Sequence, residues 1–68
     1  MRLTIYYDGT SIEQEVTQGE LVCFRNFISD NEEWKKLREY TMPYYPIYYG
    51  DKTICIMRSA ITSFQLDK

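Results

Sequence analysis

The sequence predicts an α+β domain: a small antiparallel sheet, built from an N-terminal hairpin and two or three C-terminal strands, with a central helical segment packed on one face. Three observations predict it. Apolar residues alternate on either side of an Asp8-Gly9 turn signal, two helix-start signatures fall within residues 17–41, and a second turn signal, Gly50-Asp51, divides a tyrosine- and isoleucine-rich stretch. Strands followed by helix and then more strands find their simplest two-layer solution as one sheet with helix on one side.

Residues 1–17 form the first block. Leu3, Ile5 and Tyr7 repeat with the period of a strand. Asp8-Gly9 suits a type I′ hairpin turn, which needs positive φ at both central residues. With those two residues at the tip, Tyr7 faces Thr10, Ile5 faces Ile12 and Leu3 faces Gln14. Met1, Leu3, Ile5, Tyr7, Ile12 and Val16 then share one face. The other face sets Thr4 against Glu13 and Arg2 against Glu15, an opposite-charge cross-strand pair.

Residues 18–41 form the second block. Thr17 precedes Glu20 by three and Ser29 precedes Glu32 by three, each the spacing of a capping box. The first signature starts a helix with Leu21, Phe24 and Ile28 on one stripe and Phe27 beside it. The second starts a helix carrying Trp34, Leu37 and Tyr40. Ser29-Asp30-Asn31 is a break between two helices or a kink in one, and the pattern leaves both open. Asp30, Glu32 and Glu33 fall in a first turn, where anions are favoured by the helix dipole, and Lys35, Lys36 and Arg38 fall late, where cations are favoured.

Residues 42–68 form the third block. Pro43 and Pro46 forbid a helix through Tyr44-Tyr45. Ile47-Tyr48-Tyr49 leads into Gly50-Asp51, with glycine at the first position of a type II′ turn, and Thr53 to Met57 return. This register sets Ile47 against Ile54 and Tyr45 against Ile56. The second face, with Tyr48, Cys55 and Met57, is apolar too, which predicts a strand that is central in its sheet or covered on both faces. A last strand, from about Ile61 to Leu66, follows a tight turn at Arg58-Ser59.

Composition narrows the function. The chain has 68 residues, 44% apolar and 26% charged, enough apolar surface to fold but only enough chain for one domain. A cavity for chemistry would be carved from a core that is small to begin with. No apolar run approaches a membrane span, and no signal-peptide h-region follows Met1, so the cytoplasm is the default location. In that compartment Cys23 and Cys55 are expected to be two reduced, buried thiols rather than a disulfide, although one disulfide can be written. The net charge of −2 is not the footprint of a domain that grips a nucleic-acid backbone.

The catalytic inventory is poor. Histidine is absent, so no Ser-His or Cys-His pair can be written. No CxxC, HExxH or glycine-rich phosphate loop occurs. Glu13 and Glu15 share a strand face and could hold a hard cation, but a polar outer face explains them as well. No enzyme, cofactor or metal is implied.

The unusual feature is tyrosine, seven in all, with doublets at Tyr6-Tyr7, Tyr44-Tyr45 and Tyr48-Tyr49. Alternation points one ring of each doublet to the core and one outward. Tyr6, Tyr44 and Tyr48 are the outward set, and with Arg58 they are the candidate partner-binding residues. Tyrosine is enriched at protein interfaces. The expectation is therefore a non-enzymatic interaction module, of the kind that serves as a regulator or inhibitor, that binds a protein partner or a second copy of itself as a homodimer. The alternative is single-stranded RNA or DNA, stacked on the same rings and neutralised by Arg2, Lys52 and Arg58.

Ile56-Met57-Arg58-Ser59-Ala60-Ile61-Thr62-Ser63 resembles the final strand pair of the bacterial Sm-like RNA chaperones. The resemblance spans eight of 68 residues and implies strand, tight turn, strand. Arg58 and Ser59 stand where that family has RNA-contacting lysine and histidine. The helix-first order of that family is absent here, so no membership follows.

Overall fold

The computed structural model describes residues 1–29, 31–40 and 43–68, and the side chains of all of these except 37–40. The expected roles of Asp30, Leu37, Arg38 and Tyr40 lie outside the described side chains. The α+β class holds, and the strands divide between two antiparallel sheets.

The first hairpin joins β1 (Arg2–Tyr7) to β2 (Thr10–Glu15) in the expected register, with Ile5 opposite Ile12 and Leu3 opposite Gln14. Asp8 and Gly9 have φ of 47° and 76°, the left-handed pair a type I′ turn requires. Arg2 Nε lies 3.6 Å from Glu15 Oε1 across the hairpin. Leu3, Ile5 and Val16 are buried, and Met1, Tyr7 and Ile12 pack around them.

The helical block is two helices, α1 (Gln18–Ile28) and α2 (Glu32–Tyr40). The Thr17–Glu20 capping box forms in full: Glu20 N donates to Thr17 Oγ1 at 3.2 Å and Thr17 N to Glu20 Oε1 at 3.0 Å. The Ser29–Glu32 box does not form. Glu33 N instead donates to Asn31 Oδ1 at 2.9 Å, and Ser29 Oγ accepts from Asn31 N at 3.1 Å. Asn31, adjacent to Glu32, reaches the second helical amide directly, so it caps α2. On α1 the buried stripe is Leu21, Phe24 and Phe27, with Ile28 partly buried.

β3 (Tyr44–Tyr49) and β4 (Lys52–Met57) form the second hairpin, again in the expected register, with Ile47 opposite Ile54 and Tyr45 opposite Ile56. Gly50 at the turn has φ of 64°. A single 3₁₀ turn, Arg58–Ala60, then reverses the chain, and β5 (Ile61–Asp67) pairs antiparallel with β1 rather than with β4. β1 thus becomes the centre of a three-stranded sheet, β2-β1-β5, and β3-β4 remains a separate two-stranded sheet. The register of β5 shifts between Tyr6 and Tyr7, and the hydroxyl of Thr62, the extra residue, donates to Tyr6 O at 3.1 Å.

An isolated hairpin is marginal in water. Here the core binds β3-β4 to the rest: Tyr45, Ile47 and Ile56 share one buried cluster with Leu3, Ile5 and the α1 stripe. Phe24 is the hub, meeting the Tyr45 ring at 5.1 Å and the Phe64 ring at 5.2 Å, both edge-on. Among the described residues no helix is long and apolar enough to cross a membrane.

Candidate functional site: the open face of the second hairpin

The turn at Gly50 fixes which side chains of β3-β4 face the core. Tyr45 and Ile47 point inward with Ile54 and Ile56. By alternation Tyr44, Pro46 and Tyr48 point the other way, opposite Met57, Cys55 and Thr53. Tyr44 is 47% exposed, Tyr48 71% and Met57 58%, and Cys55 is exposed as well. The sheet is therefore apolar on both faces but covered on one. The second face, expected to be covered, instead leaves Tyr44, Tyr48 and Met57 exposed.

Of the four candidate residues, the fold brings Tyr44 and Tyr48 together on this face. Tyr6 is exposed on the outer face of the other sheet, where its hydroxyl donates to Gln65 Oε1 at 3.4 Å. Arg58 turns back into the molecule. Its Nε donates to Ile28 O at 3.1 Å and a terminal guanidinium nitrogen lies 3.5 Å from Ile61 O, so it closes the C-terminal end of α1 against the 3₁₀ turn. Of the doublets, Tyr6-Tyr7 and Tyr44-Tyr45 divide between outside and core as alternation requires. Tyr48-Tyr49 does not: both rings are exposed. Tyr49 has the inward parity but stands beside the turn, past Ile47, the last β3 residue in the core.

Three further residues belong to the site: Pro46, Cys55 and Met57. The signal for them was the register itself, which pairs Pro46 with Cys55 and Tyr44 with Met57. The thiols depart from the expectation of burial, since Cys23 and Cys55 are both free and exposed. Cys23 lies off the Leu21–Phe24–Phe27 stripe of α1, and Cys55 has the outward parity of β4. Tyr7, Asp8, Cys55, Met57, Ser59 and Ala60 border a shallow depression of about 460 Å³, which extends the face toward the β1–β2 turn.

The electrostatics of the site are quiet. No side chain on the open face carries a formal charge; Lys52 and Arg58 bracket β4 at its two ends. Behind the face, burial pushes the Tyr45 phenol above its ordinary pKa, with the nearby Glu20 carboxylate and Cys23 adding to the shift. A neutral aromatic and thioether surface suits apolar contact rather than proton transfer or ion binding. Against models of protein families, curated proteins and solved structures, nothing matches this chain.

Proposed function

We propose that this chain is a small non-enzymatic interaction module, acting in the cytoplasm as a regulator or inhibitor through protein contact. Its contact surface is the open face of β3-β4, with Tyr44, Tyr48 and Met57 as anchors. The observation that carries the reading is one two-stranded sheet with apolar side chains on both faces and a core on only one. Exposed tyrosine and methionine at this density lose free energy to hydration unless a partner covers them. Tyrosine supplies large contact area at low entropic cost, and the methionine thioether adapts to an irregular partner.

The partner is a protein, either another chain or a second copy. Two of the three basic residues that a nucleic acid would need are engaged elsewhere, Arg58 with main-chain carbonyls and Arg2 with Glu15, which leaves Lys52 alone of that set at the turn. Site-specific photo-crosslinking in the cell of origin tests the reading. A benzophenone side chain at position 48 is expected to give a discrete protein adduct, and the same group at position 13 is not. No adduct at 48, or an adduct with nucleic acid only, overturns it.

A further inference from the structure

The two free edges of the second hairpin are not equivalent. In a hairpin with a two-residue turn, the residues flanking the turn form a hydrogen-bonded pair, and bonded and non-bonded pairs then alternate. Tyr49–Lys52, Ile47–Ile54 and Tyr45–Ile56 are therefore the bonded pairs, and Tyr44–Met57, Pro46–Cys55 and Tyr48–Thr53 the non-bonded ones. The main-chain groups of the second set point away from the hairpin. On the β3 side that edge contains Pro46, which has no N–H to offer, a common device against strand addition. On the β4 side it consists of Thr53, Cys55 and Met57, all with amides and all exposed. Among the described residues no main-chain hydrogen bond reaches these three from another element.

The other edges of the molecule carry protection that β4 lacks. β2 bears Glu13 and Glu15, and β5 carries a bulge at its start and Asp67 at its end. Residues 53–57, Thr-Ile-Cys-Ile-Met, hold neither charge nor proline and are rich in β-branched side chains. The 460 Å³ depression runs along Cys55 to Met57 of β4, with Tyr7, Asp8, Ser59 and Ala60 on its other side and no β3 residue at its border.

We propose that β4 is a strand-addition site whose occupant is the β4 of a second copy, joined antiparallel about a two-fold axis at Cys55. The inference rests on the interaction reading above and names its partner and geometry. Parity permits it: outward-pointing residues must meet outward-pointing residues. With Cys55 opposite its own mate, Thr53 meets Met57 and Met57 meets Thr53 of the other copy. Ile54 meets Ile56 on the buried side. An isologous contact of this kind is self-complementary by construction. The product is a four-stranded sheet, β3-β4-β4-β3, that presents Tyr44, Tyr48 and Met57 of both copies on one surface. Lys52 and Arg58 limit the pairing to five residues, since like charges would face each other beyond them. A contact this short falls below the usual area of a permanent interface, so the dimer is a weak, reversible one.

Sedimentation equilibrium of the full chain from micromolar to millimolar loading, with amide hydrogen exchange at each end of that range, tests the proposal. The wild type is expected to pass from monomer to dimer, with the amides of Thr53, Cys55 and Met57 gaining protection as it does. Cys55→Lys sets two cations against each other at the axis and is expected to weaken the dimer by about ten-fold or more. Cys55→Pro removes an amide that the β3–β4 ladder does not use, and is expected to do the same with the circular dichroism spectrum unchanged. A chain that stays monomeric at millimolar loading overturns the proposal. So does a dimer that ignores Cys55→Lys yet is lost in Tyr48→Ser; that result places association on the face and leaves the interaction module intact. Failure of the position-48 crosslink would instead remove the module itself.

Discussion

The Phe24 and Tyr45 rings meet edge to face at a centroid distance of 5.1 Å, with the planes 80° apart. Edge-to-face pairs of this kind add about 0.5–1.5 kcal/mol beyond the area they bury. This one matters more than its magnitude, because it ties helix α1 to a hairpin that has no strand partner outside itself. The same ring also reaches Phe64 on β5, so a single side chain links the helix to both sheets.

Phe24→Ala is therefore expected to cost about 3–5 kcal/mol, the range for deleting a fully buried phenylalanine. In a domain of this size that is comparable to the whole stability. Far-ultraviolet circular dichroism and urea titration should find the variant largely unfolded at room temperature. A cooperative transition displaced by less than about 1 kcal/mol would show that the two sheets are not joined through this ring.

Arg58 predicts a stability effect rather than a binding one. Its Nε bond to Ile28 O is a charged donor meeting the end of α1, and such bonds contribute about 1.5–3 kcal/mol. Arg58→Ala is expected to lower the urea midpoint accordingly. Arg58→Lys should recover less than half of the loss, because an ammonium lacks the fork that reaches Ile28 and Ile61 together. Full recovery by lysine would mean that charge alone, not geometry, closes the turn.

Gln14 faces Leu3 on the core side of the first hairpin, and its buried Oε1 accepts no hydrogen bond from the described residues. An unsatisfied buried acceptor costs about 1–3 kcal/mol. Gln14→Met keeps the length and removes the acceptor, so it is expected to raise stability by about 1 kcal/mol in chemical denaturation. A destabilised variant would point to a partner for the amide that forms in solution.

Tyr45 predicts an alkaline limit. Its phenol titrates above the ordinary value in the folded state, chiefly because it is buried. The folded chain thus holds this proton more tightly than the unfolded chain. The linked stability is complete below pH of about 10, where both states are protonated, and is lost as pH rises through the folded pKa. Tyr45→Phe should leave the neutral-pH thermal midpoint nearly unchanged and reduce the fall in midpoint above pH of about 10. An identical alkaline fall in both proteins would assign it to other groups.

What could be read from the chain and what could not divide along a physical line. Both hairpin registers followed from the sequence, because Asp8-Gly9 and Gly50-Asp51 fix the turn and period-2 alternation then places every side chain. The Thr17–Glu20 cap followed as well, since all its parts lie within one helical turn. At Ser29 the same local logic chose the wrong oxygen. Ser29 and Asn31 both had suitable side chains, and the actual start of α2 decided between them. The paired exposure of Tyr48 and Tyr49 was also out of reach, because parity assigns a face but does not say where the core ends.

The two-sheet partition belongs to the tertiary structure alone. β5 had two free edges within reach, β4 beside it in sequence and β1 some way back along the chain. Nothing in a seven-residue pattern ranks them, since either edge offers the same main-chain bonds. Packing decided it. On β1, Phe64 lies opposite Ile5 and reaches Phe24, and Leu66 lies opposite Leu3, so pairing there completes the core. That choice left the outer edge of β4 without a neighbouring strand. Tyr44 and Tyr48 were legible in the sequence as outward rings, but only the tertiary structure placed Tyr6 on the other sheet, turned Arg58 onto the end of α1 and left the edge of β4 free.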